Sequence, residues 1–347
     1  MPLFTLITGG DIDVRIGVRK ETGMAQRPTI HDVAREAGVA VKTVSRVING
    51  ERGVSDAMRA RVRAAIRTLD YRPNAAARVL RRKVSRSIGY VCVDIAEPVQ
   101  ARLARAIATV ASDHDSALTV SLTGSDQDRE RAVIESLLAR QVDGLVLWPT
   151  GAGSRFLQRL ADSLPVVCVD RPIEGVETDT VLCDNRRGAD LAVRHLAGRG
   201  HTRIAFVGDP PELFTQRERL AGYRDGLAAV GMAADPKIIF QRVQEAGPLR
   251  RQLDHWRASP APPTALLAAS SLSATAVVRA LRTADPLEVV GFDDFPLADL
   301  VHGGLTVIGQ DVDGMGRAAA ETLFQRLAGD GGGRLRIRVA PELINRD

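Results

Sequence analysis

Lys42, Ser45, Arg46 and Asn49 recur at the three- and four-residue spacing that aligns side chains on one face of a helix. Those residue types suit one kind of chemistry. Lys and Arg donate to the guanine acceptors, Asn pairs donor and acceptor with adenine, and Val41 at the helix start offers methyls to thymine. Thr43 lies beside it. Taken alone, the stripe is equally consistent with a solvated surface. Catalytic patterns are missing: no phosphate-binding Gly-Lys loop, no G-x-S-x-G, no G-x-G-x-x-G after the first strand, and no metal spacing among six scattered histidines. No enzyme, cofactor or metal site is expected.

The elements that must hold the stripe follow from periodicity. Ile30, Val33, Ala34 and Ala37 predict a first helix with Gly38 as its C-terminal cap. Val44, Val47 and Ile48 face a second helix inward, which turns the polar stripe outward. Ser55 caps a third, whose apolar face is read as Met58, Val62, Ile66 and Leu69. Two helices meeting at a tight glycine turn predict a helix-turn-helix, whose second helix enters the major groove. Charge agrees. Residues 28–88 hold 14 Lys/Arg against 5 Asp/Glu, a balance of +9, whereas residues 89–347 come to −5. A basic head on a mildly acidic body suits a polyanion partner.

From Ser87 the pattern changes. Short apolar strands (SIGYVCV, ALTVSL, DGLVLW, PVVCVD, then RIAFVG, TALLAA, LEVVGFD) alternate with amphipathic helices. That alternation predicts parallel sheets covered by helices on both faces, in two lobes with a crevice between them. The Gly-rich GDGGG at 329–333 reads as a turn before the last strand. With 45% hydrophobic residues in 347, the chain can bury a large core. No apolar run approaches the roughly 20 residues that span a bilayer. The opening segment lacks secretion-signal features, so a cytoplasmic protein without membrane contact is expected. Cys92, Cys168 and Cys183 lie in strand-like segments and are read as buried free thiols.

TIHDVAREAGVAVKTVSRVINGERGVS followed by LDYRPNAAARVL resembles the headpiece of the LacI/GalR (lactose-repressor-like) family of bacterial transcription regulators. RGADLAVRHLAGRGHTRIAFVG, RERLAGYRDGL, VVGFDD, LTVIGQD and VAPELINRD resemble family segments in family order, so the resemblance covers residues 28–347. It implies an α/β protein: an all-α helix-turn-helix headpiece and hinge helix, then a two-lobed periplasmic-binding-protein-like core with parallel sheets. The expected limits are a disordered extension at 1–27, the headpiece at 28–73 and the hinge at 74–86. The effector-binding and dimerisation core is expected at 87–347, with a first lobe at 87–183 plus 312–330 and a second at 184–311 plus 331–347. MAQRPTIHDVA opens as family members do, so Met24 is read as the start.

The implied partners are a double-stranded, pseudo-palindromic DNA operator, a small-molecule effector, and a second copy of the chain in a homodimer. The implied DNA contacts are Thr29, Val41, Lys42, Thr43, Ser45, Arg46, Asn49 and Asn74, with Ala77 and Leu80 of the hinge in the minor groove. A hinge of about two turns is marginal alone, so it is expected to order on DNA, and a wedged leucine kinks the duplex. Asp170, Arg219 and Asp293 match family effector contacts, and Trp148 and Gln310 lie on loops at the crevice. An arginine and two carboxylates suit a sugar-like ligand. Alternatively, Asp293 caps a turn and Arg219 pairs with Asp170. His201 is read as structural.

The chain also departs from the family. Glu97-Pro98-Val99-Gln100 stands where an Asn-Pro and stacking aromatics are usual, and Ser270-Ser271 replaces an Asn-Asp pair. Glu97 and Ser270 are therefore read as effector contacts of altered chemistry: an atypical ligand, an amine facing Glu97, or a lost response. Ala40 replaces the usual Ser/Thr cap of the recognition helix. The expected function is a sequence-specific transcriptional repressor controlled by an effector between the lobes. Two alternatives stand beside it: a cytoplasmic small-molecule-binding protein, and a DNA-binding regulator that has lost effector response.

Overall fold

The computed structural model describes residues 28–346 except 49, 72–84, 152, 243–245, 282–286 and 302–303. The chain divides into two compact units, 1–83 and 84–347. In the first unit three helices are described: α1 (Ile30–Ala37), α2 (Val41–Ile48) and α3 (Asp56–Thr68). Thr29 starts α1 through a capping box. Its hydroxyl accepts from the Asp32 N–H, and the Asp32 carboxylate accepts from the Thr29 N–H at 2.9 Å. Gly38 ends α1 at φ +61°, a left-handed conformation that costs a side-chain-bearing residue more. Arg61 of α3 donates to the carbonyls of Ala37 (2.6 Å) and Gly38 (3.1 Å), tying the corner to the third helix.

Val33, Ala34, Ala37, Val44, Val47, Val62 and Ala65 form the small core of this unit. Met58, expected inside, is 44% exposed. It continues the stripe of Val62 by one turn, but the three-helix core closes around Val62 and Ala65 and leaves the first turn of α3 outside.

The second unit holds two six-stranded sheets. The first runs β11-β5-β4-β3-β1-β2, from β1 (Ser87–Cys92), β2 (Ala117–Leu122), β3 (Gly144–Leu147), β4 (Val166–Val169), β5 (Asp179–Cys183) and β11 (Arg336–Val339). The second runs β12-β10-β9-β8-β6-β7, from β6 (Ile204–Gly208), β7 (Ile239–Gln241), β8 (Ala265–Ala268), β9 (Glu288–Phe292), β10 (Val307–Gly309) and β12 (Glu342–Ile344). All first-sheet pairs are parallel; in the second, β12 alone among the described strands lies antiparallel to its neighbour. Strands β1, β3, β4, β5, β6 and β8 are buried almost throughout, as parallel strands covered on both faces must be.

Helices α4 (Pro98–Asp113) and α11 (Val312–Leu327) pack on each other and cover one face of the first sheet; α5 (Gln127–Ala139) and α6 (Arg155–Ser163) cover the other. On the second sheet, α7 (Asn185–Gly198) and α8 (Phe214–Ala229) pack together on one face, with α9 (Ala246–Arg257) and α10 (Ser271–Ala280) on the other. Gly222 lets α8 approach α7, because a Cβ there would collide with the Arg186 backbone.

The expected lobe limits differ at the carboxyl end. Arg336–Val339 pairs with β5 in the first sheet, and only Glu342–Ile344 joins the second. Asp179 is the reason. This fully buried carboxylate accepts from the Leu335 N–H (2.7 Å) and from Nε and Nη2 of Arg326 (2.9 and 2.8 Å). Arg326 also donates to the carbonyls of Asp330, Gly332 and Gly333, so one guanidinium shapes the Gly-rich turn and delivers β11 to β5. That turn precedes β11, and β12 follows, so it does not lead into the last strand. Strands β5, β7 and β10 were not among the expected ones, and the single last strand expected after the turn is two, β11 and β12. The three cysteines are buried and free. His201 bridges Thr264 (2.9 Å) and Glu288 (2.8 Å), bracing the loops that lead into β6, β8 and β9.

Candidate nucleic-acid interface and effector crevice

In the first unit α2 buries Val44 and Val47 and turns Lys42 to solvent, with Val41, Thr43, Ser45 and Arg46 half-buried around it. Arg46 Nε stands 3.9 Å from a Glu51 carboxylate, an exposed pair that water and salt weaken. Ala40 has no side-chain oxygen for capping, but its carbonyl accepts from Thr43 (2.8 Å) and Val44 (3.2 Å), so α2 starts without a hydroxyl cap. Exposed Thr29 spends its hydroxyl on the capping box, donating to Asp32 at 2.7 Å. Asn49, Asn74, Ala77 and Leu80, and with them the expected hinge helix, lie outside the described residues.

In the second unit, the seven residues expected to meet an effector all line one cavity of about 620 Å³: Glu97, Trp148, Asp170, Arg219, Ser270, Asp293 and Gln310. The geometry has a simple cause. Parallel strands all point one way, so their carboxyl ends form a rim. Trp148 follows β3, Asp170 follows β4, Ser270 lies just after β8, and Asp293 and Gln310 follow β9 and β10. Asp170 and Asp293 occupy matching places in the two sheets, and both sit at left-handed φ, +70° and +73°. Non-glycine residues hold that conformation at a cost of roughly 1–2 kcal/mol, which the surrounding packing must impose.

Arg219, on α8 and 3% exposed, organises the second-lobe wall. It donates to Asn185 Oδ1 (2.7 Å), to the Ala269 carbonyl (2.8 Å) and to Asp293 (3.4 Å), with its guanidinium 3.7 Å from the Phe292 ring centroid. Gln310 Nε2 donates to the other Asp293 oxygen. Asp293 is thus held by two donors. Asp170 pairs with Arg171 (3.1 Å), not with Arg219. Arg171 also lies over the Trp148 ring, 5.7 Å from its centroid. Ser270 caps α10: its hydroxyl accepts from the Ser273 N–H at 3.0 Å, and so it is a wall and a cap at once. Glu97 precedes Pro98 at the start of α4 and accepts from Gln100 Nε2 (2.9 Å). Buried Gln100 in turn accepts from the Val93 and Asp94 N–H groups (2.7 and 3.1 Å), fixing the β1–α4 loop.

Arg171 and Asp209 also line the cavity and were missed. Asp209 accepts from Gln216 Nε2 (3.2 Å) and the Ser273 hydroxyl (3.3 Å). The rule that places Asp170 and Asp293 would have found it, since it directly follows β6. Burial raises the carboxyl pKa of Glu97, Asp170 and Asp209, and like charges add to it, with Asp293 acting on both aspartates.

A helix-turn-helix unit, and a second unit of one parallel and one mostly parallel sheet with a crevice at their strand ends, are the parts of a DNA-binding protein that carries a small-molecule site. Residues 29–74 match the model of bacterial regulatory proteins of the lacI family, and residues 193–347 match a periplasmic binding protein-like domain. The chain is 32% identical over 330 residues to the ribose operon repressor of Escherichia coli (strain K12), covering 92% of this chain and 98% of that one. It is 33% identical over 328 residues to the transcriptional regulator PtxS of Pseudomonas plecoglossicida, covering 92% and 95%. The crystal structure of the lac repressor dimer bound to operator and an anti-inducer matches with a TM-score of 0.79 at 26% identity, covering 92% and 98%. A CelR–cellobiose complex matches at 0.67 and 30% identity, covering 92% and 99%. The chain belongs to the LacI family and is a DNA-binding transcriptional regulator. No helix among the described residues is long and apolar enough to cross a membrane.

Proposed function

We propose that this regulator is a cytoplasmic homodimeric repressor and not an enzyme. Its two heads, residues 28–73, read the halves of a pseudo-palindromic operator. Residues 74–86 form the hinge, and a small polyhydroxylated effector in the crevice controls DNA affinity. One observation carries the effector reading: residues far apart in the chain converge on a single polar cavity of about 620 Å³, within the usual range for small-molecule sites. Charged donors and acceptors such as Arg219, Asp293 and Asp170 bind hydroxyls through directional hydrogen bonds. The names of the relatives support the DNA side, since a ribose operon repressor and an operator-bound lac repressor dimer are among them. In the head, Val41, Lys42, Thr43, Ser45 and Arg46 read base edges while Thr29 meets phosphate.

A melting-temperature screen of the protein against sugars and related metabolites tests the effector side. A ligand at 100 times its dissociation constant adds about 2.7 kcal/mol of stability. The hit should change operator affinity measured by fluorescence anisotropy. A stabilising ligand that leaves operator affinity unchanged would separate the crevice from regulation and refute the coupling.

A further inference from the structure

The crevice holds more carboxylates than it neutralises. Four line it: Glu97 and Asp170 from the first lobe, Asp209 and Asp293 from the second. Arg171 pairs with Asp170 and Arg219 with Asp293. Arg279, also on the lining, is exposed on α10. Among the described residues neither Glu97 nor Asp209 forms an ion pair, and they differ in how well they are satisfied. Asp209 accepts from Gln216 and Ser273, whereas Glu97 accepts from Gln100. Glu97 is half-buried, so water compensates it only in part. Its carboxyl is pushed up by burial and then by Asp94 and Asp170, with Arg171 opposing.

We infer that the effector is a hydroxylated amine, a sugar or polyol bearing a protonated amino group, with its ammonium against Glu97. The inference rests on the reading of the crevice as an effector site and names the ligand class. An anionic ligand would bring a fifth negative charge to a wall where Arg171 and Arg219 are already paired. A neutral polyol could donate a hydroxyl to Glu97 but would leave the repulsion among the carboxylates in place. An ammonium removes both costs, and charge-assisted hydrogen bonds are about twice as strong as neutral ones.

The test uses the full-length protein and probes that share a frame and differ in charge: glucose, glucosamine and gluconate; galactose, galactosamine and galactonate; sorbitol and glucamine. Melting shifts are read first, then titration calorimetry at pH 7. At least one amine should bind tenfold or more tighter than its neutral parent, about 1.4 kcal/mol. Glu97→Gln should bring the amine to within about threefold of its parent, and Asp209→Asn should weaken it less. A neutral or acidic probe that binds as tightly as its amine overturns the inference, as does an amine preference that survives Glu97→Gln. If neutral or acidic probes bind and amines do not, the ligand class falls and the effector site stands. If no probe of any charge shifts the melt, the ligand class falls and the effector reading loses its support as well.

Discussion

Arg219→Met would remove the charge at the centre of the crevice while keeping most of the bulk over Phe292. Three acceptors lose a donor: Asn185 Oδ1, the Ala269 carbonyl and Asp293. Breaking a buried ion pair from one side costs about 3–5 kcal/mol, because the remaining charge stays buried. The lower end applies here. Asp293 keeps its bond from Gln310, and the Ala269 carbonyl keeps one from Gln216 at 3.0 Å. A loss of about 3 kcal/mol in a unit of this size lowers Tm by roughly 6–12 °C. Thermal unfolding followed by circular dichroism measures it. Arg219→Lys should fall between, since an ammonium keeps the charge but cannot form the planar fork. Adding Asp293→Asn to Arg219→Met should recover part of the loss, because the buried charge is then gone. A single variant that melts within 2 °C of the parent, or a double variant whose losses simply add, would refute the assignment of Arg219 and Asp293 as a coupled pair.

Three further outcomes are expected. Duplex affinity should fall steeply with salt, about 10³–10⁵-fold between 50 and 200 mM if the dimer neutralises roughly 6–10 phosphates; a flat anisotropy titration would contradict the basic-head reading. Arg46→Ala should relax base preference at one operator position at a cost of about 1–3 kcal/mol, read from operators selected out of a random pool; a uniformly weaker but unchanged preference would assign Arg46 to phosphate. For Asp179, burial raises the carboxyl, but the bonds from Arg326 and the Leu335 N–H, with Arg334 nearby, outweigh burial and hold it below the usual carboxylate range. Its stabilising effect is therefore present above the unfolded pKa of about 3.9 and lost as pH falls through the folded value. Asp179→Asn should be less stable than the parent at pH 7, and the gap in urea midpoint should close below about pH 4.

Local chemistry made much of this molecule legible in advance. Gly38, read as the cap of the first helix, ends α1 because glycine tolerates the left-handed turn, whereas the capping box of Thr29 and Asp32, three residues apart, was equally local and went unread. Those are nearest-neighbour effects, and a linear sequence contains all their terms. The alternation of apolar strands and amphipathic helices implied parallel sheets, and parallel sheets gather their functional residues at strand ends. Asp209 was missed although it obeys that rule. Strand β7 is only three residues long, Ile239–Gln241, too short for periodicity to register. Met58 shows the opposite error: its spacing was correct, but burial depends on what packs against a turn.

What the sequence by itself determined was the inventory: a head with outward-facing Lys42 and Arg46, and a body whose parallel strands deliver carboxylates to a rim. What only the tertiary structure decided was the pairing. Arg219 had Asp170 and Asp293 as possible partners, and the helix that carries it places the guanidinium on Phe292 beside Asp293, while Arg171 takes Asp170. That allocation leaves Glu97 without an ion pair among the described residues. Residues 179, 326 and 335 likewise meet only when the chain returns to the first sheet, and their meeting sends β11 there and not to the second. Except for the adjacent Asp170 and Arg171, pairing of this kind depends on distances in space between residues separated by tens to more than a hundred positions, and the energy of a charge depends on which neighbour is closest and how dry the site is.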